Sequence, residues 1–336
     1  MTEECLDLSF VDTEDSQNEL LYHEKGFVCF SGGKDSTAML LRMLEMNDPV
    51  NYPVHRICFA DTGFEFQELY DYLIFIDCYI QEKFPGAPKV ELLKPKKTWD
   101  EWFYGEITRG RNKGMQRAAP LKAYPCWWSR EAKVRPLERE NKDYGNVYIG
   151  IAADEPDRVQ KRDEKVKRSL AIRYPLIEWN WTEDDCMAYL DHLGIGNCLY
   201  LSFNRIGCYH CPKQGLSSWH EVWLNWNDKW QESKHWDEES IKIRGSGLRT
   251  DYTLQELETR FEAGFVPSKK KQAYDCNTCA AVGLWVEGHL VEEDFNSDDA
   301  FERDSKYLES KLADEFKATD DQWVAPSHKK TKVDWL

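Results

Sequence analysis

The stretch Phe27-Val28-Cys29-Phe30-Ser31-Gly32-Gly33-Lys34-Asp35-Ser36-Thr37 constrains the fold more than any other part of this chain. An apolar run with the character of a buried strand stops at Ser-Gly-Gly, and a helical apolar pattern opens at Met39, Leu40, Leu41 and Leu44. A strand that turns on glycine into a helix aims backbone N–H groups and a helix N-terminus at one point, which is an anion site. The glycines allow a tight turn and close approach of a phosphate. Ser36 and Thr37 are expected to cap the helix and to donate to phosphate oxygens. The Gly-x-x-x-x-Gly-Lys-Ser spacing of a Walker loop is absent.

Strand-like and helix-like patterns alternate through residue 151. Strands are expected near 27–30, 54–60, 90–93 and 147–151, and helices near 36–47, 65–84, 98–107 and 129–140. That alternation predicts an α/β fold with a doubly wound, mainly parallel sheet. Ligands in such sheets bind beyond the carboxyl ends of the strands, where Ser31, Asp61 and Gly150 fall. A short extended piece is expected from Tyr174-Pro175-Leu176. Thr182-Glu183-Asp184-Asp185 reads as a capping box opening a helix to Leu193. Beyond residue 201 short elements rich in Trp and Cys are expected, with one helix near 253–263. The expected organisation is an N-terminal extension (1–25, with a helix near 16–24), a nucleotide-binding domain (26–200), a Cys-rich module (201–290) and an acidic tail (291–336).

The chain has 336 residues and a net charge of −16, which argues against a protein that coats nucleic acid nonspecifically. The charge is uneven. Between Arg109 and Arg139 nine Lys/Arg face two Glu, a balance of +7, whereas Glu292–Asp321 carries twelve acidic and four basic residues, a balance of −8. The basic segment suits a phosphate- or sulfate-bearing substrate, with Arg109, Arg111, Lys113 and Arg117 either clamping it or lying in a solvated loop. An acidic N-terminus and the lack of a membrane-length apolar run lead to the expectation of a cytoplasmic protein. In a reducing compartment, Cys29, Cys58, Cys78 and Cys186 read as small core residues. Cys126, Cys208, Cys211, Cys276 and Cys279 instead sit in polar, turn-rich surroundings.

Ser31-Gly32-Gly33-Lys34-Asp35-Ser36 resembles the Ser-Gly-Gly-x-Asp-Ser loop of the PP-loop ATP pyrophosphatases, which cleave ATP between its α and β phosphates. Four later segments are similar, in order, to the phosphoadenosine phosphosulfate (PAPS) reductase branch: Asp61-Thr62-Gly63-x-Glu65, Cys126-Trp127 with Ala132-Lys133-Val134-x-Pro136-Leu137, Gly150-Ile151-x2-Asp154-Glu155-x2-Arg158, and Pro175-Leu176-Ile177-Glu178-Trp179. The resemblance implies an adenine-nucleotide α-hydrolase-like fold. It implies that Ser31–Thr37 cradles ATP phosphates, that Asp35 helps hold Mg²⁺, and that Lys34 offers a point charge to phosphate or is a solvated lysine. It sets Asp61 near the adenosine, or in a plain turn, and lets Arg158 hold an anion or pair with Asp154 or Glu155.

In the adenylylsulfate reductases of that branch, a Cys-Cys pair and a later Cys-x-x-Cys hold a [4Fe–4S] cluster. Here Cys126, Cys208 and Cys211 match, and the companion of Cys126 is missing. Thiolates suit an Fe–S cluster or zinc. Three arrangements stay open: a three-cysteine cluster, a fourth ligand from Cys276, Cys279 or His210, or a Zn²⁺ site on Cys208, Cys211, Cys276 and Cys279. The phosphate loop is intact and the reductases' C-terminal Glu-Cys-Gly segment is absent. The expected function is therefore ATP-dependent activation of a substrate for sulfur transfer. The alternatives are a sulfonucleotide reductase using thioredoxin, or a nucleotide-binding accessory protein without turnover. Expected partners are ATP or an adenylylated sulfur nucleotide, a sulfur donor, a nucleic-acid or small-molecule acceptor, and a second copy of the chain.

Overall fold

Alternating strand residues point to opposite faces of a sheet, and here both sets are apolar. Val28, Phe30, Ile57, Phe59 and Tyr148 join one buried cluster, and Phe27, Cys58 and Val147 join another. Such strands must lie inside a sheet covered on both faces. The computed structural model describes residues 25–109, 112–122, 126–156, 158 and 171–268, with 285–286 and 289–290. It contains that sheet. Strands β1 (Gly26–Phe30), β2 (Arg56–Ala60), β3 (Val90–Leu93), β4 (Asn146–Ile149) and β5 (Ala171–Arg173) are all parallel, in the order β3-β2-β1-β4-β5. The chain winds from β1 out to β3, then returns to the other side of β1 as β4. The direction of winding therefore reverses between β1 and β4, where an open α/β sheet has its ligand crevice.

Helices α1 (Lys34–Met46) and α2 (Gln67–Lys83) contribute Met39, Leu40, Leu69 and Leu73 to the larger cluster. A π-helical turn, Ser129–Val134, runs into α4 (Arg135–Glu140), whose Leu137 packs on the other cluster. Between them lies α3 (Trp99–Phe103), opened by a complete capping box on Thr98 and Glu101. The expected helix to residue 107 stops at Phe103. From Gly105 the chain turns into a loop closed by antiparallel pairing of Glu106 with Gln116.

After β5 come α5 (Pro175–Glu178) and α6 (Glu183–Leu193), the latter with the Thr182–Asp185 capping box expected from the sequence. Residues 175–178, expected to be extended, form a helical turn, because Pro175 takes the first helical position, where its missing N–H costs nothing. Beyond a 3₁₀ turn (Cys198–Leu201) stand α7 (Leu216–Asn225), α8 (Asn227–Arg244) and α9 (Leu254–Glu262). The short elements expected there are thus replaced by helices, one of them 18 residues long. Trp219 and Trp230 on α7 and α8 are fully buried and belong to the same apolar cluster as Val28.

The chain divides into two compact units, residues 1–283 and 284–336. The boundary expected near residue 200 falls inside the first, where the core continues from the sheet into α7–α9. In the second, β6 (Trp285–Val286) pairs antiparallel with β7 (His289–Leu290). The expected N-terminal helix, the whole of the expected acidic tail and Cys276 and Cys279 lie outside the described residues. Cys58 and Cys186 are buried as expected, but Cys78 is exposed, because it falls on the outer face of α2. Among the described residues no helix is long and apolar enough to cross a membrane.

Candidate nucleotide and thiol site

The Ser-Gly-Gly turn leaves the carboxyl end of β1 at the reversal point. Gly32 has φ +68, and a Cβ there would meet Leu69 Cδ1 at 2.7 Å. The left-handed φ favours glycine, while the Leu69 methyl is a side-chain tip able to give way. Helix α1 then begins at Gly33 with no side-chain cap. The expected capping by Ser36 and Thr37 does not occur. Both hydroxyls donate back to the Gly33 carbonyl at 3.0 Å, and Ser36 Oγ accepts from the Ser31 N–H at 3.2 Å. Ser31 Oγ and Ser36 Oγ are 2.8 Å apart. The hydroxyls brace the turn and leave the helix N-terminus uncapped, as a helix that receives an anion requires.

Two residues far along the chain hold this loop. Asn197, 2% exposed, donates from Nδ2 to the Gly32 carbonyl at 3.2 Å. The Tyr200 hydroxyl accepts from the Lys34 N–H at 2.9 Å. From the other side Gly150, just past β4, presses on the helix start. A Cβ on Gly150 would lie 2.8 Å from both the Cα and the N of Ser36. The structure thus brings Ser31, Gly32, Gly33, Asp35, Ser36, Thr37 and Gly150 together.

Lys34 lies across this mouth, only 11% exposed, with Nζ 3.0 Å from Asp35 Oδ1 and 2.8 Å from Glu183 Oε2. Burial opposes its charge, but the two carboxylates more than offset that and its pKa is raised. Burial pushes the Asp35 carboxyl above the usual carboxylate range; Lys34 opposes this, while Glu183 and Glu155 add to it. Asp154 accepts from the Glu183 N–H at 3.1 Å, fixing the start of α6 beside the loop. Arg158 pairs with Glu155 and is 45% exposed. Asp61, 8% exposed at the end of β2, accepts from the Gly63 N–H at 2.8 Å and from the Tyr70 hydroxyl at 2.7 Å.

The same turn leads to the thiols. Thr62 Oγ1 donates to Glu65 Oε1 at 2.9 Å and lies 3.4 Å from Cys208 Sγ. Lys133 Nζ is 3.1 Å from Glu65 Oε1. Cys126 Sγ accepts from the Ser129 N–H at 3.3 Å, so the π-helical turn positions it. Burial, reinforced by Glu65, pushes the Cys208 thiol up to about 12. Burial also raises Cys126, and the field of Cys211 acts on both. Burial opposes the Lys133 charge, yet Glu65 and the thiols Cys208 and Cys211 outweigh it and the pKa is raised. His210 is buried against Phe64 and Trp99, and burial drives its imidazole down to about 3. Among the described residues no three His, Cys, Asp or Glu side chains converge as a metal site needs. Cys126, Cys208 and Cys211 therefore share a neighbourhood without forming a ligand set.

A separate polar cavity of about 420 Å³, lined by Lys25, Arg56, Arg139, Glu140, Lys142, Asp143 and Tyr144, opens at the opposite, amino end of the strands. Nothing in the loop geometry reaches it.

A family model described as the phosphoadenosine phosphosulfate reductase domain matches residues 25–214, from the start of β1 to just past Cys211. The chain belongs to this family. The match takes in the phosphate loop, Gly150 and the Cys208–Cys211 loop, and leaves out α7–α9 and the late cysteines. An uncharacterized protein of Methanocaldococcus jannaschii is 29% identical over 193 residues, which is 54% of this chain. The chain spans 40% of that relative's length. A solved phosphoadenylyl-sulfate (PAPS) reductase from Candida auris, a phosphate complex, is similar at 16% identity over 60% of this chain and 90% of that one, with a TM-score of 0.36.

Within this PAPS reductase domain, sequence reasoning missed Asn197, Tyr200 and Glu183 as parts of the phosphate loop. They lie between 149 and 166 residues from their partners. Glu183 carried a local signal, a capping box, that explained it without reference to the loop. Asn197 and Tyr200 carried none.

Proposed function

We propose that this PAPS reductase family member binds ATP, or an adenylylated sulfur nucleotide, at Ser31–Thr37 and activates an acceptor for sulfur transfer. The uncapped start of α1, facing the reversal point beside Gly150, carries the reading. The N–H groups and dipole of its first turn suit a phosphate chain. Lys34, released from Asp35 and Glu183, would supply a point charge to the leaving pyrophosphate. Asp35 and Glu183 are oxygen donors, and Mg²⁺ is commonly held by one or two carboxylates together with substrate phosphates, so Asp35 would hold it here. Asp61 and Gly150 would border the nucleoside, and Arg158 would turn from Glu155 to an anion. Cys126, Cys208 and Cys211 would handle sulfur.

Calorimetric titration with ATP and adenylylsulfate tests the reading, together with pyrophosphate release in the presence of candidate acceptors. Micromolar binding and pyrophosphate release are expected. Failure of both nucleotides to bind refutes it. Anaerobic purification with iron, sulfide and zinc analysis reports what Cys126, Cys208, Cys211, Cys276 and Cys279 carry.

One observation favours a second reading, sulfonucleotide reduction with release of sulfite: the family match extends through Cys208 and Cys211. Sulfite release with thioredoxin and adenylylsulfate, without ATP, would select it.

A further inference from the structure

The chain is strongly acidic overall, yet residues 94–135 carry eleven Lys/Arg against four acidic residues. The fold gathers part of this excess on one face. The loop after α3 is drawn into a hairpin by the Glu106–Gln116 pairing and by hydrogen bonds from Ile107 N to Met115 O (2.8 Å) and Arg117 N to Gly105 O (3.0 Å). Arg109 and Lys113 stand exposed toward its tip. At its base the Arg117 guanidinium lies over two indoles, 4.8 Å from Trp102 and 5.6 Å from Trp127. Lys97 covers Trp102 at 5.7 Å. Both indoles are half-buried, so each keeps part of its surface open. Lys97, Arg109 and Lys113 make no ion pair among the described residues, and Arg117 Nε is buried without a hydrogen-bond partner.

Exposed cations without carboxylate partners keep their full attraction for a polyanion. Half-buried Trp102 and the Arg117 guanidinium laid over it add flat faces on which a base can stack, backed by Trp127, whose ring is itself stacked on Trp99 at 5.1 Å. An acidic peptide or an anionic lipid would use the charge and leave those faces unused. A duplex hides its base faces.

We propose that Lys97, Trp102, Arg117 and Trp127, with Arg109 and Lys113 on the hairpin, form a binding surface for single-stranded nucleic acid. The backbone tracks the basic hairpin and a base stacks on the Trp102–Arg117–Trp127 shelf. This goes beyond the nucleotide reading and does not rest on it. The two use different residues, so each can fail alone.

The test uses the full chain and fluorescein-labelled oligo(dT) and oligo(rU) of about 20 nucleotides, longer than a typical site of ~4–16. Anisotropy is read across a salt series, with polyglutamate as competitor. The wild-type protein is expected to bind at low salt, with affinity falling log-linearly as salt rises. Arg109→Glu/Lys113→Glu should weaken binding at least ~10-fold and flatten the salt slope. Trp102→Ala should weaken it about 5- to 100-fold, the range for one stacked base. Tighter binding of either strand supports the proposal and assigns the sugar. Circular dichroism melts accompany both variants, and the exposed double variant carries the test if Trp102→Ala does not fold. The proposal is overturned if the wild-type protein binds neither oligonucleotide. It is equally overturned if the double variant binds like wild type, or if polyglutamate displaces the probe as well as unlabelled oligo(dT) does.

Discussion

Replacing Gly150 with alanine should damage the phosphate loop from a residue that need not touch the ligand. A Cβ at 150 would sit 2.8 Å from Ser36 Cα and N and 3.0 Å from the Asp35 carbonyl carbon. Ordinary contact begins near 3.4 Å, so about 0.6 Å must be found. All three neighbours are backbone of the first turn of α1, and none can swing away as a side-chain tip would. The helix start must therefore move off β4. Overpacking of this kind costs about 1–3 kcal/mol, or about 3–9 °C at roughly 3 °C per kcal/mol for a domain this size. The same displacement moves the N–H groups offered to the nucleotide, and misplacements approaching 1 Å cost up to ~100-fold. Gly150→Ala should thus weaken ATP binding at least ~10-fold by calorimetry. The comparison is Gly86→Ala, where φ is +93 and nothing lies within 4 Å of the added atom. That variant should lose about 1–2 kcal/mol to left-handed strain and keep its nucleotide affinity. Unchanged ATP affinity in Gly150→Ala, or an equal loss in Gly86→Ala, would refute the argument that backbone contact sets the site.

Lys34→Ala should lower ATP affinity about 10- to 100-fold, the worth of a charge-assisted hydrogen bond, with little effect on AMP; equal losses for both ligands would show that Lys34 does not meet the β and γ phosphates. Glu258 on α9 accepts from Trp230 Nε1 at 2.8 Å and pairs with Lys234 on α8; burial raises its pKa, but these partners outweigh it and the net pKa is lowered. A depressed carboxyl pKa stabilises the fold above the unfolded value near 4.5, and that contribution fades as pH falls through the folded value. Glu258→Gln should therefore lose about 1–3 kcal/mol at pH 7 in urea titrations, with the gap to wild type closing below about pH 4.5; a gap independent of pH would exclude the linkage.

The parts of the fold legible in the sequence were those written locally. Residues 90–93 form the expected third strand, Thr182 is the cap its spacing announced, the helix expected near 253–263 is α9, and Gly32 takes a positive φ that favours glycine. The Pro175 turn went astray because proline serves both an extended segment and a first helical position. Helix α3 was drawn too long because Phe103 is followed by a basic hairpin whose closing pair, Glu106 and Gln116, has no apolar alternation to betray it. At the site, Ser31, Gly33 and Asp35 could be picked out because strand, turn and helix are contiguous. Ser36 and Thr37 fall in the first turn of α1, but their hydroxyls meet the Gly33 carbonyl instead of capping the helix, since a hydroxyl there can face either the N–H groups or the preceding carbonyl. Asn197 and Tyr200 could not be found, because their role exists only once β1 and the 3₁₀ turn are neighbours.

That 3₁₀ turn joins the two halves of the site. Asn197 spends both ends of its amide: Nδ2 on the Gly32 carbonyl and Oδ1 on the Leu199 N–H at 3.0 Å. Tyr200 follows, holding Lys34, and seven residues after Leu201 comes Cys208. The cysteine loop is then tied to the Asp61–Glu65 turn by Tyr209 N to Phe64 O at 3.0 Å. One short segment therefore bears on the phosphate loop at its start and on the thiols at its end. Asn197→Ala would leave one buried carbonyl and one buried N–H unpaired, at about 1–3 kcal/mol each. The strain should reach Cys208, which is half-buried and whose thiol is pushed by burial up to about 12, so that slow reaction with iodoacetamide is expected in the intact fold. Alkylation of Cys208, mapped by mass spectrometry in the folded variant, should accelerate, while exposed Cys78 serves as the internal standard. ATP should slow Cys208 alkylation in the wild-type protein and do so less in Asn197→Ala, because the bond from residue 197 to the phosphate loop is gone. An unchanged Cys208 rate in a variant that has lost ATP affinity would mean that the phosphate loop and the thiols act independently.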